Sequence, residues 1–107
     1  MNIAEMMKQA KVMQERMETL QGELAVTEVE GASGGGLVRV LMTCKGDVRQ
    51  LKISPEIVNP SDVETLEDLV MAAINMARAN ADKKMADETA RMMEGMGLPS
   101  NFELPKF

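Results

Sequence analysis

The sequence predicts an α+β fold of element order α-β-β-β-α, a small antiparallel three-stranded sheet flanked by two long helices. Three observations carry that prediction. Apolar residues near the amino terminus recur at spacings of three and four. The middle of the chain holds short β-type runs divided by glycine-containing turns, and a second helical pattern with a strong start signal fills most of the remainder.

The first helix is read over residues 2–24. Its apolar positions are Ile3, Met6, Ala10, Met13, Met17, Leu20 and Leu24, an uninterrupted heptad-like stripe. At 1.5 Å per residue the rod is about 35 Å long, more than a small sheet can cover, so part of it must pack on another helix.

The strands are read as 25–30, 37–45 and 48–53, with the Gly-rich GASGGG of residues 31–36 and the Lys45-Gly46-Asp47 segment as the turns between them. In the second strand Val38, Val40, Met42 and Cys44 alternate to one face while Leu37 and Leu41 take the other. Both faces are therefore expected to need cover.

After a connector between Pro55 and Pro60, Ser61 and Glu64 have the spacing of a capping box. Asp62, Glu64, Glu67 and Asp68 set four carboxylates where the helix dipole favours anions. The second helix is read over residues 62–94, with Val63, Leu66, Val70, Ala73 and Ala77 on its apolar stripe and Gly95 as its stop. It is about 50 Å long and also overshoots the sheet. Residues 1–95 thus form one domain, and 96–107, with Pro99, Pro105 and both aromatics, Phe102 and Phe107, are expected to be a loose tail.

Two overlong helices beside a small sheet pack most simply as an antiparallel pair. The amino-terminal half of the first is expected beside the carboxy-terminal half of the second, projecting as an arm. The uncovered apolar sheet face and free edges then call for a second copy, a two-fold homodimer.

Composition removes most catalytic chemistry. The 107 residues include no His, Trp or Tyr and a single Cys. Imidazole general bases, His-containing zinc sites and intramolecular disulfides cannot be built, and no enzyme is expected. The longest apolar run, Leu69 to Ile74, is too short to cross a bilayer, and the opening residues carry Glu5, Lys8 and Lys11 in place of a signal-peptide core. A cytoplasmic location is expected, with no membrane partner.

The formal charge is −5, but it is unevenly spread. Residues 1–16 hold three cations against two carboxylates and residues 76–93 four against three, so positive charge gathers on the expected arm and the acid near its base.

The blocks MKQAKVMQERM (7–17), EVEGASGGGLVRV (28–40), TLEDLVMAAINMA (65–77) and GMGLPS (95–100), in that order and spacing, resemble the YbaB/EbfC family of bacterial nucleoid-associated proteins. The resemblance spans nearly the whole chain. It implies a homodimeric DNA-binding protein of the nucleoid, whose paired helices protrude like tweezers and engage duplex DNA, with a role in nucleoid organisation or gene regulation.

Each local signal also has a plainer reading. GASGGG lacks the Lys-Ser/Thr of a P-loop and precedes a strand, so it reads as a hairpin turn. Ser33 has no His to activate it. Cys44 reads as a buried thiol, and Met6, Met13 and Met17 as helix-packing residues, while Met92, Met93 and Met96 fit either core or contact. Capping accounts for Glu64, Glu67 and Asp68 without a metal, and no cofactor or small-molecule substrate is expected. Lys11 and Glu15 have ordinary i,i+4 pair spacing.

The expected contacts to duplex DNA are Lys8, Lys11, Arg78, Lys83, Lys84 and Arg91. Base readout has little to work with, since Gln9, Gln14, Asn75 and Asn80 are the only amides placed for it. Low sequence specificity follows. The alternative is a coiled-coil-type protein-interaction module that does not bind nucleic acid.

Overall fold

A computed structural model describes residues 2–97. It shows helix α1 (Ile3–Val26), strands β1 (Glu28–Ser33), β2 (Val38–Thr43) and β3 (Val48–Ile53), and helix α2 (Val63–Gly95). The strands form one antiparallel sheet in the order β1-β2-β3. This is the expected α+β fold with two long helices. Of the tail expected over residues 96–107, Met96 is the C-cap of α2 and residues 98–107 lie outside the described residues.

Asn2 caps α1 by accepting from the Glu5 amide at 2.8 Å. The start of α2 differs from the Ser61–Glu64 box by one residue. Asp62 is the N-cap, accepting from the Thr65 amide and, at 2.7 Å, from the Thr65 hydroxyl. A carboxylate caps as well as a hydroxyl does, and here it gains a second donor from the Thr65 side chain.

The first strand also departs from the reading of the sequence. Helix α1 continues through Ala25 and Val26, and β1 runs on through Gly31, Ala32 and Ser33, which pair with Val40, Arg39 and Val38. Gly34, Gly35 and Gly36, all at positive φ of 60°, 69° and 96°, form the turn together with Leu37, the expected start of the second strand, which has helical backbone angles. Three successive left-handed residues are open only to glycine at low cost.

Gly31 belongs to the strand because of what lies above it. A Cβ there would collide with the Ala73 carbonyl oxygen and the Ala77 amide nitrogen and lie 2.8 Å from the Ala77 Cα. The alanine stripe Ala73, Ala77 and Ala81, each fully buried, lets the backbone of α2 rest on the sheet over Val38, Val40 and Met42. Val29, Ile57, Leu69, Val70 and Ile74 border this core.

The register assigns the sheet's two faces. Val29, Gly31 and Ser33 share the helix side with Val38, Val40 and Met42, and so do Ile53, Leu51 and Val48 of β3. Leu41 shares the other face with Arg39, Glu30, Gln50 and Lys52, and Arg39 donates to the Glu30 carboxylate at 2.7 Å. That face is polar around one half-buried leucine, so it does not need the cover expected from Leu37 and Leu41.

The uncovered apolar surface lies instead on the helix side. Helix α2 spans β1 and β2 and leaves β3 bare, with Val48 50% and Leu51 45% exposed. An extra residue, Arg49, bulges β3 between the Leu41–Gln50 and Met42–Val48 pairs.

A second core joins the helices. Met17, Leu20, Leu24 and Cys44 are buried together, with Met13, Met85 and Met92 packed around them. The expected pairing is therefore shifted: the middle and end of α1, not its amino-terminal half, lie against the outer half of α2. The first turns of α1 extend past the pairing, and Ile3, Met6 and Met7 are 75%, 56% and 68% exposed. Met6 is thus not a packing residue, whereas Met13 and Met17 are.

The molecule measures 70 × 21 × 18 Å, with a radius of gyration of 19.2 Å. A compact chain of this length has about 13 Å. The difference is the arm.

Candidate nucleic-acid interface

The arm is built from the segments that leave the sheet behind. On α2 the apolar stripe that serves the sheet ends at Ala81, and Met85 and Met92 continue it toward α1. Polar and charged positions on both helices remain in solvent, and Lys8, Lys11, Arg16, Lys83, Lys84 and Arg91 stand there, whereas Arg39, Lys45, Arg49 and Lys52 belong to the sheet and its turn.

The structure divides the six expected DNA-contact residues into three places. Lys8 and Lys11 are exposed on the overhang of α1. Among the described residues neither makes an ion pair, and Lys11 does not reach Glu15. Lys83, Lys84 and Arg91 lie on the outer half of α2. Lys83 is exposed and unpaired among the described residues, whereas Lys84 and Arg91 both reach the Glu88 carboxylate, at 3.3 and 3.0 Å.

Arg78 sits apart, over the sheet. Its guanidinium pairs with Asp82 at 3.3 Å, and its Nη1 lies 3.0 Å from where a Gly46 Cβ would stand, beside the β2–β3 turn. It is separated from Arg91 by about 20 Å of helix.

Spacing alone does not mark Arg16, although it contributes to the positive charge of the first helix. It lines an open groove between α1 and α2 together with Glu15, Thr19 and Glu23 from one side and Glu88, Arg91 and Met92 from the other. The signal for it was available in the heptad: Arg16 neighbours Met17, so pairing of the helices at Met17 and Met92 brings it near Arg91.

The four amides expected to be placed for base readout are also separated. Asn80 donates to the Glu30 carbonyl at 2.7 Å and is spent on the edge of β1. Asn75 is exposed on the part of α2 above the sheet, and only Gln9 and Gln14 stand on the arm. Cys44 lies at the root of the arm. Burial pushes its thiol up, Lys84 pulls it down, and Glu88 adds to the rise, so the group is a neutral packing element and not a nucleophile. No helix among the described residues is long and apolar enough to cross a membrane.

The described residues thus form a small sheet carrying a helical arm with exposed cations along it. Comparison with known proteins gives the class of protein. The sequence profile of the YbaB/EbfC DNA-binding family matches residues 1–96, and the chain belongs to that family. A nucleoid-associated protein of Rhodospirillum centenum is 48% identical over 104 residues, covering 97% of each chain. Nucleoid-associated proteins of Paramagnetospirillum magneticum and Gluconobacter oxydans are 46% and 43% identical over the same length. The crystal structure of an uncharacterized protein from Helicobacter pylori superposes with a TM-score of 0.75 over 87% of this chain and 98% of that one, at 20% identity, and shares the fold.

Proposed function

We propose that the protein binds duplex DNA in the bacterial nucleoid as a homodimer, through cations on its projecting arms and with little sequence preference. The observation that carries this reading is the set of exposed cations on the arm. Lys8, Lys11 and Lys83 are free of ion pairs among the described residues, and Arg16, Lys84 and Arg91 accompany them. Arg78, over the sheet and about 20 Å of helix from Arg91, is left out of the contact set because of its position.

A dimer would carry −10, so long-range electrostatics oppose approach to DNA. Affinity must come from short-range phosphate contacts made by the arm while the acidic base points away. Each phosphate contact adds about −0.9 to the slope of log K against log salt concentration. Binding measured by anisotropy with a labelled duplex should therefore be detectable at low salt, fall steeply as salt rises, and change little between unrelated duplexes of equal length. The scarcity of amides on the arm accounts for the last of these. Failure to bind duplex at low salt would instead favour the protein-interaction module, with Ile3 and Met6 as its contact stripe.

Dimerisation is supported by the bare strip of β3. Val48 and Leu51 are half-exposed beside an unpaired strand edge, and on the opposite edge the Glu30 carbonyl is already taken by the Asn80 amide. A second copy can cover the strip on β3 without disturbing α2. Leu51→Glu should shift the protein from dimer to monomer in sedimentation at micromolar concentration while leaving helical circular dichroism intact. A wild-type protein already monomeric there would contradict the dimer.

A further inference from the structure

The groove of the arm holds a feature that the DNA-binding reading does not use. The Glu88 carboxylate accepts from Arg91 Nη1 at 3.0 Å and lies 3.3 Å from Lys84 Nζ. Its side chain is only 24% exposed, whereas those of Lys84 and Arg91 are 43% and 70% exposed. The anion is thus set into the groove with both cations above it, and Arg16 lines the same groove from the other helix.

Helix stability does not account for this arrangement. The i,i+4 order places Lys84 before Glu88, the weaker of the two orientations, and exposed pairs of this kind contribute little. The consequence for DNA is larger. A phosphate approaching Lys84 or Arg91 meets a cation already neutralised at contact distance, and the three side chains together present one positive charge in place of two.

We propose that Glu88 is an affinity-limiting residue of the arm, which competes with DNA phosphate for Lys84 and Arg91 and keeps binding weak and readily reversible. The inference rests on the DNA-binding reading and names a residue that tunes it. In the wild type, phosphate must displace a carboxylate from each cation. Without the carboxylate both cations are available to phosphate, and their counterions are released on binding. Most of the gain in affinity should appear as slower dissociation, since the pairs are local.

The test is a salt series of duplex binding with Glu88→Gln, which keeps the side-chain shape and removes the charge. Asp87→Asn is the control, an exposed carboxylate on the adjacent helix position with no ion pair among the described residues. Glu88→Gln should bind about tenfold more tightly at moderate salt, beyond the gain from Asp87→Asn, and steepen the salt slope by about one per protomer or more. Adding Lys84→Gln and Arg91→Gln to Glu88→Gln should abolish the excess.

Equal effects of Glu88→Gln and Asp87→Asn would overturn the proposal, as would a gain that survives loss of Lys84 and Arg91. Weaker binding by Glu88→Gln would also overturn it, because Glu88 would then be orienting the cations toward phosphate. A wild-type protein that does not bind duplex at low salt defeats the DNA-binding reading itself, a result separate from all of these.

Discussion

Gly31→Val should abolish stable folding. The position lies in β1, directly under the backbone of α2, where even a methyl group meets the Ala73 carbonyl and the Ala77 amide. Ordinary overpacking costs about 1–3 kcal/mol because side chains can turn aside. Here the obstructing atoms are helix backbone, and relief requires lifting α2 from Val38, Val40 and Met42, which form the buried floor of the core. A cost of about 4 kcal/mol or more is expected, comparable with the whole stability of a small domain. Gly31→Ala should lie between Val and wild type. Gly22, on the exposed side of α1 with nothing within 4 Å of its Cβ position, supplies the contrast. Gly22→Ala should raise stability by up to about 1 kcal/mol through helix propensity. Urea unfolding followed by circular dichroism reads all three. An unchanged midpoint for Gly31→Val would mean that β1 and α2 do not approach as described.

Reversing charge on the overhang of α1 should remove most DNA binding. Lys8 and Lys11 are exposed, and among the described residues no carboxylate pairs with them, so their full charge is available to phosphate. The Lys8→Glu, Lys11→Glu double variant loses four contacts per dimer and adds four repulsive charges. At low salt the dissociation constant should rise about a hundredfold or more, and the salt slope should flatten by about three to four. Arg78→Glu changes charge by the same amount per site but acts at the base, where Arg78 already pairs with Asp82. It should have a small effect on binding, with only a slight fall in the thermal melt from the like-charged i,i+4 spacing to Asp82 that it creates. Comparable losses from Arg78→Glu would place the interface on the body of the protein and not on the arm.

Much of this architecture can be read from residue spacing. The stripe from Met13 to Leu24 packs where a heptad pattern requires, and the strand at Val48–Ile53 falls as its composition indicates. The length of both helices against so short a sheet is enough to predict an arm. What spacing could not show depends on contacts across the fold. Gly31 has the local signature of a turn, and only Ala73 and Ala77, more than 40 positions away, make it a strand residue. Ile3 and Met6 continue a perfect stripe but find no partner, because α2 meets α1 further along. Leu41 points as alternation says, yet its neighbours Glu30, Arg39, Gln50 and Lys52 come from three strands and make that face polar.

The candidate site follows the same division. Lys84 and Glu88 are visible as an i,i+4 pair, and Arg91 follows at i+3 from Glu88. That Arg16 lines the same groove depends on which turn of α1 faces which turn of α2, a matter of packing between Met17 and Met92. Asn80 looks like a groove-reading amide until β1 is in place and its side chain is seen to cap Glu30. Charge density along each helix was legible. The point on α2 where the sheet ends and the arm begins was not, and that boundary, near Ala81, separates Arg78 from Arg91.

The most direct test is to map the backbone amides that respond when a duplex is titrated into isotopically labelled protein. Shifts should concentrate in residues 3–16 and 83–93, leave residues 38–53 nearly unmoved, and reverse on addition of salt. Shifts centred on Arg39, Gln50 and Lys52 of the open sheet face, with Lys8 and Lys11 silent, would contradict binding through the arm.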